Sequence, residues 1–564
     1  MHSDRSSLHP RPASLGPAST PSPGPAPIPS ARPRRWPKGR HVSPPAGRCL
    51  PAILVLLNLV GCAGQAGQPS PNPADERPIR IDGEWDDWAN REPIWRSANE
   101  QTGPAHSLQA VGTAHDDGAF YLRLTLASET NLQAMPGTLR LTLDADGPAA
   151  GPEIDGLPGA DHVIAFSSRT ASNQRIGIRH RLAADTLWTH AYDIGLHYGP
   201  THSDRHFEIR LGRRPSRGAP LGPSVRFRIA TIDEADRVVA ITPVLTHEFT
   251  PATRGVPLVS TGTLDRPPGT SLRVITWNVG DRTILERPAR FRQALRVLAP
   301  DAILLDELHP DITPDDLRGL VAGVGGEPWT VVLGTSGGRQ RTAVMARQRF
   351  HATVAPALRR VDYPDSLQDL RGLPMSRQMA ADLVGAPVDG IPMVGGIIET
   401  EGRRVLLVAV DLLCCGSLRG PEERARRMTA LRLNEAIRAA LAPNRIDAVV
   451  IGGDLNLVGT RRPLELLGRS LDPISRADLT VVPTPRLTGL SNATWEDPGP
   501  FPPGRLDYLL VSGSVLTIRR AFPFHPGDLS ADARARLGLD SVAATDHLPV
   551  VADLTLTRAP NGRP

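Results

Sequence analysis

Ala448-Val-Val-Ile-Gly-Gly-Asp-Leu-Asn456 is four apolar residues, a glycine pair, and then Asp454 and Asn456. An apolar run this short reads as a buried strand, and this one carries polar side chains at its end. The pattern recurs on both sides. Leu272–Trp277 closes on Asn278, Ala302–Leu305 runs into Asp306 and Glu307, and Val405–Val410 ends on Asp411. Downstream, Asp507 sits inside Arg505-Leu-Asp-Tyr-Leu-Leu510, and Asp546 and His547 precede a strand over Pro549–Leu556. Strands are also expected at Thr342–Ala346 and Ile397–Thr400. The clearest intervening helix is Pro421–Leu441, where Pro421 suits a first turn and Met428, Leu431, Leu433 and Ile437 make an apolar face. This mixture predicts a layered α/β fold over 272–558.

Carboxylates gathered at strand ends point to an oxygen site for a hard cation, Mg²⁺ or Mn²⁺, of the kind used with phosphates. No Cys/His spacing fits Zn²⁺, and there is no Gly-Lys-Ser/Thr phosphate loop. Five motifs in order, Thr276-Trp-Asn278, Leu305-Asp-Glu307, Gly453-Asp-Leu-Asn456, Arg505-Leu-Asp-Tyr508 and Thr545-Asp-His547, resemble the endonuclease/exonuclease/phosphatase superfamily, with its deoxyribonuclease I-like β-sandwich flanked by helices. The resemblance implies an Mg-dependent phosphoric ester hydrolase. It implies that Glu307 and Asn278 hold the metal and that Asp546 completes the metal or acid–base shell. Asp454 would deprotonate water, Asn456 would orient phosphate, and His547, held by Asp507, would contact phosphoryl oxygens. Such chemistry needs an in-line water, a cation on the developing charge and help for the leaving oxygen.

One position departs from the family pattern. Many members carry His where this chain has Asp411. Asp411 offers no cation to phosphate, so it is a candidate metal ligand or hydrogen-bonding group, and the leaving-group step is open. Asp281 reads as a cap. Cys414 and Cys415 read as two reduced thiols in a loop, with a vicinal disulfide the alternative in an exported protein.

Residues 77–262 alternate with period two, as in Phe120–Leu126, Leu139–Leu143, Phe207–Leu211 and Val225–Ile229, with turn signals such as Asp82-Gly83 and Asp146-Gly147 between. An all-β sandwich is expected. Ile79–Trp88, His115–Tyr121 and Leu141–Asp146 resemble the family 9 carbohydrate-binding module, which implies possible glycan contact. Trp85, Trp88, Trp95, Tyr121 and Trp188 are the aromatic candidates, with Trp85 and Trp88 favoured as core wedges. Asp144 and Asp146 read as a solvated turn rather than a Ca²⁺ site. Residues 263–271 read as a linker.

Residues 1–61 carry eight basic side chains and one acid, net +7, against +5 for all 564 residues. The remaining 503 residues stand at −2, so the basic balance is no argument for a nucleic-acid partner. The apolar run Leu50–Val60 behind Arg40 and Arg48 reads as a signal peptide. Leu59-Val-Gly-Cys62 resembles a bacterial lipobox, which implies lipidation at Cys62, a tether over 62–76 and an exported lipoprotein at the outer membrane or cell surface, anchored by lipid alone. Three functions remain. The first is a surface-anchored phosphodiesterase (nuclease or sphingomyelinase-like, acting on nucleic acid or phospholipid). The second is a phosphomonoesterase on inositol or sugar phosphates. The third is a non-catalytic glycan-binding lipoprotein. Arg339, Arg341, Arg403, Arg404, Arg424, Arg426, Arg427, Arg461, Arg462, Arg519 and Arg520 are candidates for a phosphate track, and Pro500-Phe-Pro-Pro503 is a thin candidate for membrane insertion.

Overall fold

Period-two alternation in the N-terminal part folds as two antiparallel sheets. In spatial order, one holds Trp95–Arg96, Leu108–His115, Ala119–Thr130, Asp204–Gly212 and His197–Gly199. The other holds Val238–Ile241, Ser224–Ile232, Thr138–Asp144, His162–Phe166, Ile178–Leu182 and Thr189–His190, with Leu245–Glu248 also on Ser224–Ile232. Leu122, Leu124 and Leu126 of the first sheet share a core with Leu139, Leu141 and Phe227 of the second. Trp88 is fully buried with Ile79, Ile81 and Tyr121, and its indole N–H donates to Glu208 Oε1 at 2.8 Å, so it is a wedge and not a sugar platform. Asp144, Asp146 and Asp161 are the one group of three carboxylates among the described residues close enough to share an ion, but Asp144 is already ion-paired with Arg226.

The computed structural model describes residues 78–98, 104–147, 151–169, 176–250, 259–375, 377–497 and 499–557. The leader, Cys62 and the tether lie outside the described residues. No helix among the described residues is long and apolar enough to cross a membrane.

The C-terminal part carries strands β1 (Leu272–Asp281), β2 (Ala302–Leu308), β3 (Trp329–Leu333), β4 (Arg341–Arg347), β5 (Thr353–Val354), β6 (Met393–Thr400), β7 (Arg403–Asp411), β8 (Ala448–Asp454), β9 (Thr480–Val481), β10 (Asp507–Val511), β11 (Leu516–Pro523) and β12 (Val550–Leu556). They form two six-stranded sheets, ordered β3-β4-β2-β1-β12-β11 and β5-β6-β7-β8-β10-β9. Val274, Leu304 and Val344 of the first face Leu407, Val450 and Leu509 of the second in one core. The outer face of the first sheet is covered by the helix Pro288–Leu298 through Phe291 and Leu295. The outer face of the second is covered by the helix Pro421–Leu441 through Leu433 and Ile437. That helix has the expected bounds, but Leu431 of the expected apolar face is 45% exposed.

Within the first sheet, β1 and β12 are tied by a buried charge pair. Arg273 donates to both oxygens of Asp553 at 2.7 and 3.0 Å, and to the carbonyls of Leu264 and Leu298. Removing one partner leaves the other charge buried and uncompensated. Asp553→Ala is expected to lower unfolding free energy by about 3–5 kcal/mol in a denaturant titration; a loss under about 1 kcal/mol would contradict this account.

Candidate active site

Strand register makes the site. In the second sheet Asp411 pairs with Asp454, and Asp454 pairs with Asp507, so three carboxyls stand in one row across β7, β8 and β10. In the first sheet Asn278 pairs with Asp306 across β1 and β2. Like charges side by side on a sheet are destabilising, so such a row marks a site kept for chemistry. The two rows meet because Gly452 has no side chain. A Cβ there would lie 2.8–2.9 Å from Leu304, Leu509 and Thr276. At Gly453 a Cβ would lie 1.7 Å from the carbonyl oxygen of Val410. The glycine pair thus allows the close approach at which Asn278 Nδ2 donates to Asp454 Oδ2 at 3.3 Å.

Local distortion aims the side chains. The register of β2 shifts between Leu305 and Leu308, and that of β1 between Asn278 and Asp281. Glu307 and Asn456 both have left-handed backbones, φ 53° and 48°. Bulges and positive φ at non-glycine residues cluster where a fold re-aims functional groups. Asn456 N–H donates to Asp454 Oδ1 at 2.8 Å, and its side-chain amide donates to the Leu412 carbonyl at 2.8 Å.

His547 is buried among these groups. Its Nδ1 lies 2.9 Å from Asp507 Oδ2 and its Nε2 lies 3.7 Å from Asp454 Oδ2. Burial alone would lower the imidazole, but the carboxylates of Asp507, Asp454 and Asp546 outweigh it and hold the ring well above the usual histidine range. Asp454 is pushed up to about 7, chiefly by burial. Burial, followed by the charges of Glu307 and Asp454, holds Asp411 well above the usual carboxylate range. Glu307 is raised by burial and lowered by the side chain of Asn278.

Asp546 stands apart. It is exposed at the rim, with Oδ1 accepting from Thr545 and Oδ2 from the indole of Trp495. Glu307, Asp411 and Asn456 line a pocket of about 200 Å³, with Arg339, Tyr363, Asp389 and Cys414. Asp281 lies beyond the register shift of β1 and sits at a positive φ of 58°. Cys414 and Cys415 are joined as a vicinal disulfide, which corrects the reading as reduced thiols. The Arg426 guanidinium secures that turn by donating to the carbonyls of Leu413 and Cys415.

Two contributors were missed from sequence. Asp306 is fully buried, and neither carboxyl oxygen has a hydrogen-bond partner in the structure. Its sequence signal is a charged residue directly beside Glu307 at the end of an apolar run. Thr494 donates to Asp507 Oδ2 at 2.7 Å and accepts from the N–H groups of Leu506 and Asp507. It lies in an irregular loop with no periodicity to flag it.

The donor set fits a hard divalent cation. Glu307, Asn278 and Asp306 offer only oxygens, and two of these, on Asp306, are buried without a donor. Several raised carboxyls in one pocket also call for positive charge.

Residues 275–547 match the family model described as Endonuclease/Exonuclease/phosphatase family. Similar solved structures include the endonuclease/exonuclease/phosphatase from Bacteroides vulgatus, at 15% identity over 51% of this chain and 99% of that one, TM-score 0.33. They also include the human Nocturnin catalytic domain with bound sulfate anion, at 16% identity over 51% and 94%, TM-score 0.34. A third is D. rerio TDP2 complexed with single strand DNA product, at 14% identity over 50% and 98%, TM-score 0.32. No curated protein matches the chain. Over residues 275–547 the chain is therefore similar to the endonuclease/exonuclease/phosphatase family.

Proposed function

We propose that the chain is an Mg²⁺- or Mn²⁺-dependent phosphodiesterase, exported and anchored by lipidated Cys62, with phospholipid-type diesters as its substrate class. The observation that carries the hydrolase reading is His547 set between Asp507 and Asp454, across from Glu307 and Asn278. Glu307 and Asn278 would hold the cation, with the charge of Asp306 behind them. When bound, it supplies positive charge to the phosphoryl oxygens as negative charge builds. Asp454, oriented by the N–H groups of Asn278 and Asn456, takes the proton from the attacking water. Protonated His547, its tautomer fixed by Asp507, donates to a phosphoryl oxygen. Asp411 forms the pocket wall and hydrogen-bonds the bound ester.

Charge and surface favour a lipid over a nucleic acid. A nuclease wants a row of available cations. Several arginines offered from sequence are engaged instead: Arg341 with the carbonyls of His309, Pro310 and Ile312, Arg426 and Arg427 with Glu423, Arg462 with Glu465 and Arg520 with Asp553. The helix Arg377–Asp389, which supplies Ala381, Ala386 and Asp389 to the pocket, exposes Val384 and Val388 one turn apart at 72% and 76%. An apolar rim beside a phosphate site suits an interfacial substrate.

The test is a panel on the chain lacking residues 1–61: a chromogenic phosphodiester, phospholipid vesicles, plasmid DNA and inositol phosphates, each with Mg²⁺ and with EDTA. Metal-dependent release from vesicles, reduced several-fold by Val384→Ser with Val388→Ser, is expected. Faster turnover of DNA than of lipid would overturn the substrate class, and no turnover of any ester would overturn the hydrolase reading.

A further inference from the structure

The loop 490–506 reaches the catalytic groups from one side only. Thr494 bonds Asp507, the partner of His547. The Trp495 indole and the Glu496 N–H both bond Asp546, and Leu548 N–H donates to the Thr494 carbonyl. The loop carries Pro500, Pro502, Pro503, Gly499 and Gly504, and its described residues form no helix or strand. Its other side rests on the N-terminal sheets. Ile81 N–H donates to the Leu490 carbonyl at 2.9 Å, and the Asn492 side chain donates to the Asp82 carbonyl at 2.9 Å. Ile178 N–H donates to the Pro500 carbonyl at 2.8 Å, and Arg505 N–H donates to Thr201 Oγ1 at 2.8 Å. Gly504 and Gly177 have no side chain where the partners meet; a Cβ would come within 3.0 Å of Thr201 Oγ1 and 2.4 Å of the Pro500 carbonyl, respectively.

A second catalytic loop is held in the same way. Val458-Gly459 lies one residue beyond Asn456, on the segment that carries Asp454 and Asn456. The Ser203 N–H donates to the Gly459 carbonyl at 2.7 Å, and the Asn131 amide donates to the Val458 carbonyl. Thr201, Ser203 and Asn131 are all buried.

We propose that the N-terminal sheets are part of the catalytic apparatus: Thr201, Ser203 and Asn131 are positioning residues that clamp both loops and so set Asp507, His547 and Asp454. A misplacement of a fraction of an ångström at such groups is felt in the chemical step more than in binding. The proposal rests on the hydrolase reading for its kinetic readout.

The test uses the full chain lacking residues 1–61. Thr201→Val keeps the shape of the side chain and removes the acceptor for Arg505 N–H, whereas Thr201→Ser restores it. Thr201→Val is expected to lower kcat about tenfold on the chromogenic phosphodiester with KM within about twofold, and Thr201→Ser to recover kcat. In a Thr494→Val background Thr201→Val should cost no further activity, because both act through one loop. Thr142→Val, which removes a bond to Asp155 inside the N-terminal sheets, should lower the thermal midpoint and leave kcat unchanged. Wild-type kcat in folded Thr201→Val, or an equal loss in the Thr494→Val background, overturns the proposal. If the wild-type chain turns over no ester, the hydrolase reading fails separately. Hydrogen exchange then decides: faster exchange over 490–506 in Thr201→Val supports the clamp, and unchanged exchange overturns it.

Discussion

Glu307→Gln is expected to lower kcat/KM by about a thousandfold at millimolar Mg²⁺ and to be rescued in part by higher metal concentration. The amide keeps the shape of the side chain and loses the charge. Asn278 and Asp306 alone would hold a cation weakly, since Mg²⁺ relies on one or two carboxylates to offset its dehydration. A second readout separates this from general damage. Asp306, Asp411 and Asp454 are buried, with Glu307 half-buried beside them, and burial together with repulsion from neighbouring carboxylates raises all four. Removing one of them relieves repulsion in the metal-free protein, so the variant should melt at a higher temperature than wild type in EDTA. Wild type should gain stability on adding Mg²⁺, because a ligand bound only by the native state stabilises it. The variant should gain little. Equal Mg²⁺-induced shifts in the two proteins would remove Glu307 from the metal site.

Most of that cluster can be read from sequence, because each member closes an apolar run. Asn278, Glu307, Asp411 and Asp454 announce themselves as polar residues where hydrophobic strands stop. What sequence does not carry is the row formed by Asp411, Asp454 and Asp507, which depends on strands far apart in the chain settling in register. Strand β11 is hidden for a different reason: its register shifts between Ile518 and Arg520, so the apolar alternation of Leu516–Pro523 loses phase. Strand β3 is short and at an edge, and its burial is mixed. The arginines show the opposite failure. Charge is visible in the chain but partners are not, and Arg426 turns out to be buried against Glu423 rather than displayed to a ligand. Segment 263–271 reads as a linker by composition, yet Arg266 within it is ion-paired with Asp301 at 2.6 Å and Leu264 is buried. Contacts of this kind lie between elements remote in sequence, as do those of Thr494 and Thr201, and no local pattern encodes them.

Asp507→Asn is the second substitution with a large expected effect, about 10²–10³-fold in kcat. Asp507 does two things for His547. It fixes the tautomer through Nδ1, and with Asp454 it holds the ring well above the ordinary histidine range. In the proposed mechanism the protonated ring is the form that donates to phosphate, so the rate should fall as pH rises through the folded value. In wild type this alkaline limb therefore lies above the usual imidazole value of about 6.5. The asparagine removes the largest upward influence while the ring stays buried, and burial lowers a histidine. The alkaline limb must then move to lower pH, and the rate deficit must widen as pH rises. The stability contribution of the pair has the same sign: a cation held above its unfolded value stabilises fully below about pH 6.5 and loses that contribution as pH rises through the folded value. Wild type should thus lose part of its margin over Asp507→Asn in alkaline melts. In the same proposed mechanism the acid limb belongs to Asp454, pushed up to about 7 by burial, and should move less, because its strongest opposing influence is His547 rather than Asp507. An alkaline limb unmoved by Asp507→Asn would mean that His547 is not the titrating acid, and the proton donor would have to be sought at Asp411.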